Sequence, residues 1–316
     1  MTRFDIGSGS LARAVLLLLS GVAMSACGGD STTGPPGGGG TTEQWVTALT
    51  RSWSLPASTE AYKCHSELAT SDRYYTGFRL ASPSAAQTEL YLLVRPSVTQ
   101  VGDYDCSSSD ILGGEAIYAA GAGTTPVTFS GGKGVHVAAG QYLQMVVHIN
   151  NTSASPVTAS TTIEGRVAAA KDVTTPIDMF FVGRIQFALP ADSDTNVVNA
   201  SCGTVADMHV VAEIPLLRSL GIHQTFTQKD PSSVIHVIFD SGFDPQHVVF
   251  TSLGTDSLLV GGSQIFASCT YVNTTGVVVN FGESAQNESC LLGLYRYPPK
   301  PPTSNSPIEC AMGIPI

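Results

Sequence analysis

Two cysteines, Cys269 and Cys290, bracket a run in which apolar and polar residues alternate, break at Gly276 and resume as Val277-Val278-Val279. Period-two alternation on both sides of a glycine reads as strand, turn and strand. A bridge between the two cysteines would close a loop of roughly twenty residues, which stabilises by about 3 kcal/mol in the chain-entropy account. Such a bridge persists only in an oxidising compartment, so the stretch points to a β-protein outside the cytoplasm.

The N-terminus agrees. Arg3 and Arg13 precede the apolar run Ala14-Val-Leu-Leu-Leu-Leu and then Met24-Ser25-Ala26-Cys27. The apolar run is too short to span a bilayer and has the form of a signal peptide over residues 1–26. Small residues before Cys27 match a bacterial lipobox, in which that cysteine is acylated; ordinary secretion with nearby cleavage is the alternative. Gly28 after Cys27 resembles lipoproteins sorted to an outer membrane, so the expected location is the bacterial cell envelope, facing the periplasm or the surface. Residues 27–44 are rich in Gly, Pro and Thr, cannot bury a core, and read as a flexible tether below the anchor.

Only 13% of the residues are charged, 32 are Gly, and no long run has the 3.6-residue period of an amphipathic helix. The fold class this implies is all-β. Net charge is −10 with no basic cluster beyond the leader, which speaks against a nucleic-acid partner. Six cysteines follow Cys27: Cys64, Cys106, Cys202, Cys269, Cys290 and Cys310. An even number in an exported chain implies three disulfides, and spacing leaves all fifteen pairings open. No CxxC spacing, P-loop, G-x-S-x-G elbow or H-E-x-x-H occurs.

A first β-domain is expected over residues 45–168, with strands at Tyr74 to Leu80, Glu89 to Val94, Gly134 to Ala138 and Tyr142 to Ile149. A connector over 168–176 leads to a second β-domain at 177–316. Its strands are expected at Met179 to Leu189, His209 to Ile214, Val234 to Phe239, His247 to Ser252 and Gln264 to Val272. The Pro-rich run after Tyr297 suits an edge or surface loop. No repeat of short fixed period is visible, which argues against a propeller and for two stacked-sheet sandwiches.

The segments Cys269-Thr-Tyr-Val-Asn-Thr-Thr and Phe281-Gly-Glu-Ser-Ala-Gln-Asn-Glu-Ser-Cys290 resemble the copper type II, ascorbate-dependent monooxygenases, the family of peptidylglycine α-hydroxylating monooxygenase and dopamine β-monooxygenase. The likeness extends over Phe243 to His247, Leu259 to Ile265 and Met208 to Pro215. In the first domain it extends, more loosely, over Ile117 to Gly123 and Lys133 to His148. It covers about residues 62 to 310. The resemblance implies two jelly-roll-like sandwiches facing each other across a solvent-filled cleft, one copper in each. It also implies the pairings Cys64–Cys106, Cys202–Cys310 and Cys269–Cys290.

The family's chemistry needs imidazole and thioether ligands, which suit copper in its two redox states. Residue by residue, Glu89 and Leu90 stand where the family has an adjacent His-His pair. His148 matches the third imidazole of that site. Leu216 and Arg218 stand in place of H-x-H, and Ser289 in place of the Met. Of these six positions only His148 keeps the ligand type. Leucine cannot coordinate, and Arg218 repels a cation.

The leading expectation is therefore a lipid-anchored, catalytically silent relative that holds no cofactor. It would act as a binding or structural module, with an unidentified protein or small molecule in the inter-domain cleft. The alternative is an active copper- and ascorbate-dependent hydroxylase using a site rebuilt from His148, Glu89 and His209; a third possibility is a partner subunit of an active paralogue. Asp207 with His209 is a weaker metal pair. Glu283 and Glu288 read as a solvated loop near the disulfide.

Overall fold

A computed structural model describes residues 44–121 and 123–300, with the backbone of 308–310; of Thr255 only the backbone is described. The expected signal peptide, Cys27 and the tether up to residue 43 lie outside the described residues.

The described chain is nearly all β, as its composition implies. The first sheet runs β1 (Gln44–Leu55), β10 (Val157–Val167), β3 (Arg73–Ala81), β8 (Lys133–Val137) and β11 (Thr175–Pro176), with β7 (Val127–Thr128) on β3. The second runs β5 (Gly102–Cys106), β2 (Thr59–Leu68), β9 (Tyr142–Asn151), β4 (Gln87–Arg95) and β6 (Glu115–Gly121). The third runs β18 (Thr251–Leu259), β15 (Met208–Leu216), β21 (Cys290–Tyr297), β12 (Asp178–Arg184) and β22 (Ile308–Cys310). The fourth runs β14 (Thr195–Gly203), β19 (Gln264–Val272), β16 (Gly221–Lys229) and β17 (Ile235–Gly242), and β13 (Ala188–Leu189) pairs separately with β20 (Val279–Asn280).

In outline these four large sheets are arranged like the blades of a small propeller, in place of the two jelly-roll domains that the resemblance implies. The physical reason is a shared core. The apolar cluster of the first two sheets continues without a break into Met179, Phe181, Ile214, Leu216 and Tyr295 of the third. Tyr91 meets Phe181 edge-on at 6.0 Å, Phe129 meets Tyr295 at 4.6 Å, and the Tyr295 hydroxyl donates to the Ile117 carbonyl at 2.8 Å. Apolar contact of this kind removes area from water and closes the expected solvent-filled cleft to a seam. Strands pass back and forth between sheets along the chain, so no sheet is a sequence repeat, and the absence of a short period does not bear on the arrangement.

The disulfides Cys64–Cys106 and Cys269–Cys290 are formed. Cys202 is disulfide-bonded as well, and the side chain of Cys310, its expected partner, lies outside the described residues.

Three expected strands differ. Val277 and Val278 are exposed and unpaired, and only Val279–Asn280 joins a ladder. The cause is Asn273, fully buried, whose Nδ2 donates to the carbonyls of Leu189, Pro190 and Val277 while its Oδ1 accepts from the Thr275 N–H. This local ring of bonds satisfies the backbone in place of a hairpin. The first half holds the same device: Asn151 Nδ2 donates to Leu55, Pro56 and Ser155, and its Oδ1 accepts from the Ser153 N–H. Residues 247–250 form no strand either, because Val248 and Phe250 bond across the seam to Thr125. The segment Met179–Leu189 divides after Arg184, whose Nε turns to the Gln186 carbonyl at 2.8 Å.

Candidate functional site

Strand β4 and the loop that follows β15 bring together the positions expected to differ from a copper site. Register fixes the first half. Glu89 of β4 lies directly opposite His148 of β9, while Leu90 beside it points the other way into the core and is fully buried. Past the register shift between Gln87 and Glu89, the period of two along the strand sends Leu90 to the face opposite Glu89. On the other side, Leu216 ends β15 in the shared core, and Arg218 sits two residues beyond it.

Glu89 and Arg218 meet across the seam. Arg218 Nε donates to Glu89 Oε1 at 2.6 Å and Nη2 to Oε2 at 2.9 Å, with side chains only 14% and 11% exposed. Nη1 donates to the Ser284 carbonyl at 2.5 Å, and Nη2 lies 3.7 Å from Glu283. Burial on its own lowers the Arg218 guanidinium, but the carboxylate of Glu89 outweighs it and holds the group charged. Two-point contact of this kind is the strong form of a charged hydrogen bond.

His148 is 1% exposed and occupied at both ring nitrogens. Nε2 lies 2.6 Å from Glu60 Oε1 and Nδ1 lies 2.8 Å from the Thr88 hydroxyl. A carboxylate only accepts, so Nε2 carries the proton and Nδ1 accepts from Thr88. Burial lowers the His148 pKa, which keeps the ring neutral. Tyr62 stacks flat on it at 4.4 Å and passes its hydroxyl to the Glu283 carbonyl at 2.7 Å. Glu60 in turn accepts from the Ala285 N–H at 2.7 Å and the Ser284 hydroxyl at 3.0 Å, tying the halves together again.

Glu283 keeps a side chain that is 41% exposed, but Glu288 is not solvated. Glu288 is fully buried and accepts from the backbone N–H groups of Arg218 at 3.0 Å, Leu220 at 2.7 Å and Ser289 at 3.3 Å. It therefore caps the turn that delivers Arg218. Burial pushes the carboxyls of Glu283 and Glu288 upward. Ser289 is buried, its carbonyl taken by the Tyr271 hydroxyl at 2.6 Å.

A cavity of about 250 Å³ opens beside the ion pair. Pro215, Leu216, Leu217, Pro245 and Val248 give it an apolar wall, and Thr88, Glu89, His148, Asn150, Arg218 and Ser219 contribute polar groups. Gly123, at φ +71°, lets the loop after β6 approach the second half, since a Cβ there would meet the Gln246 carbonyl oxygen at 2.0 Å.

His209 does not join this group. It lies at the opposite end of β15, about 23 Å of strand from Leu216, with its ring stacked on Tyr297 at 4.6 Å. Asp207 accepts from the Gly261 N–H at 2.7 Å. Copper does not fit the residues present. Glu89 is engaged by a guanidinium, both nitrogens of His148 are bonded, Leu90 and Leu216 offer no donor, and Arg218 places a fixed positive charge where a cation would sit. Three potential ligand atoms come together once among the described residues, at Cys64, Cys106 and Asp110, and two of these are the sulfurs of a disulfide.

Sequence reasoning missed Glu60, Tyr62, Thr88 and Ser284, which build the network around His148. The one signal was the alternation of β2, which puts Glu60 and Tyr62 on the same face as Cys64. Comparison of the chain with protein-family models and with curated proteins returns no match.

Proposed function

We propose that this chain is a cell-envelope binding module related to the copper type II, ascorbate-dependent monooxygenases, in which both metal sites have been replaced by a structural contact. The observation that carries this reading is the bidentate Glu89–Arg218 pair. It joins one former ligand position of each half, so the two places where the resemblance implies copper are bonded to each other. The remaining imidazole, His148, is held by Glu60 and Thr88 as a neutral packing group. What persists is a small cavity at the seam, the natural seat for a ligand.

Copper loading tests the proposal. The purified protein, incubated with Cu(II) and dialysed, is expected to retain no stoichiometric copper. Near-stoichiometric copper together with ascorbate-driven oxygen uptake would overturn it and favour the hydroxylase.

The export signal and Met24-Ser25-Ala26-Cys27 support an acylated anchor at the outer membrane. Replacing Cys27 with Ser should then move the protein from the membrane fraction to the soluble one; an unchanged distribution would exclude the anchor. Among the described residues no helix is long and apolar enough to cross a membrane.

A further inference from the structure

We infer that the seam cavity selects a small, uncharged, largely hydrocarbon molecule, and that the Glu89–Arg218 pair sets this selectivity. The inference rests on the reading of the seam as a binding site and adds the class of ligand.

Size comes first. A cavity of about 250 Å³ exceeds the roughly 150 Å³ that suffices for benzene, so it accommodates about ten non-hydrogen atoms. The wall is apolar, built from Pro215, Leu216, Leu217, Pro245 and Val248, and favours hydrocarbon by removing it from water.

Charge comes second. Glu89 and Arg218 are the two charged groups in the cavity lining, and they face each other at 2.6 and 2.9 Å. His148 donates its Nε2 proton to Glu60 and accepts from Thr88 at Nδ1, so neither ring nitrogen is left for a ligand. Glu60, Glu283 and Glu288 stand behind the lining, and each accepts a hydrogen bond from the protein or sits beside Arg218. A cationic or anionic ligand would enter without a counter-charge or would have to break the pair. Either route leaves a buried charge uncompensated. A neutral ligand meets neither penalty, and Asn150 and Ser219 remain to meet one hydroxyl or carbonyl.

The test uses three probes of nearly equal shape: benzyl alcohol, benzylamine and benzoate, each titrated into the purified protein by calorimetry. Benzyl alcohol is expected to bind at least about tenfold more tightly than either ion, the scale set by an unpaired charge in a partly buried site. Glu89→Gln strips the counter-charge from Arg218 and should move the preference to benzoate. Arg218→Met does the reverse and should move it to benzylamine. Ala285→Trp fills the cavity from its rim and should abolish binding of benzyl alcohol while the melting temperature holds. Equal binding of all three probes, no binding of any, or an unchanged order in both charge variants overturns the inference. None of these outcomes touches the copper-loading result, so the two readings fail separately.

Discussion

Arg218 of the second half and Glu89 of the first form a two-point ion pair at 2.6 and 2.9 Å, each less than 15% exposed. Both occupy positions where the resemblance expects imidazoles on separate metals. A pair placed here ties the two halves together at one point. Glu288 supports it from behind by capping the turn at Arg218 and Leu220, and Ser284 completes the guanidinium's partners.

Breaking the pair from one side should cost more than removing it whole. Arg218→Met leaves Glu89 buried without a partner, and Glu89→Gln leaves the guanidinium with only the Ser284 carbonyl and, at 3.7 Å, Glu283. Each should destabilise by about 3 kcal/mol in chemical denaturation. The double variant should lose less than either single change, that is, at least about 3 kcal/mol less than the sum of the two. Simple additivity would mean that the contact carries no coupling.

Glu213 should give the fold a pH dependence. It is fully buried on β15, neither carboxylate oxygen has a hydrogen-bond partner among the described residues, and burial pushes its pKa to about 9. A raised carboxyl pKa means that the folded state keeps the proton while the unfolded chain releases it near pH 4.5. Between those values the folded state binds more protons, so stability falls as pH rises, by about 1.4 kcal/mol per pH unit. The accumulated loss at pH 7 is on the order of 3 kcal/mol, and above about pH 9 the loss is complete. Glu213→Gln should flatten this slope between pH 5 and 9 (about the span of the two pKa values). An unchanged slope in urea melts across that range would assign the pH dependence to other groups.

The paired asparagine turns should matter equally and independently. Asn151 and Asn273 each donate to three carbonyls, two of them in a Leu-Pro step, Leu55-Pro56 and Leu189-Pro190. Replacing either by Ala orphans buried carbonyls and should cost about 2–3 kcal/mol. The two lie in different halves with no shared partner, so the double variant should show the sum. A loss at one site only would mean that the turns, alike in geometry, differ in energetic role.

Reducing Cys269–Cys290 should loosen the seam locally. The bridge closes a span of 21 residues that carries Glu283, Ser284, Ala285 and Glu288, all partners of the network around Arg218 and His148. Loss of that closure is worth about 3 kcal/mol. Hydrogen exchange should quicken first at residues 283–289, ahead of the Asn151 turn. Uniform quickening over both halves would contradict a local role.

Much of this was legible in the sequence because period two is a strong signal. The strands β3, β4, β9 and β19 follow from alternating or β-rich runs, and the all-β class follows from the missing helical period. The central strand β21 was not legible: Cys290 to Tyr295 is a short apolar run without alternation, and periodicity alone cannot assign such a run. Val277-Val278-Val279 has high strand propensity, yet the bonds of Asn273 govern its backbone. That Glu89, Leu90, Leu216, Arg218 and Ser289 differ from the ligands the resemblance implies could be read off singly. That Glu89 and Arg218, 129 residues apart, would bond to each other depended on how the halves pack, which no local pattern encodes.

The most direct measurement is anomalous scattering from a crystal soaked in copper. The account predicts no ordered peak beside His148 or between Leu216 and Arg218, with the Glu89–Arg218 pair intact. Strong peaks at both places, with the pair parted, would contradict it.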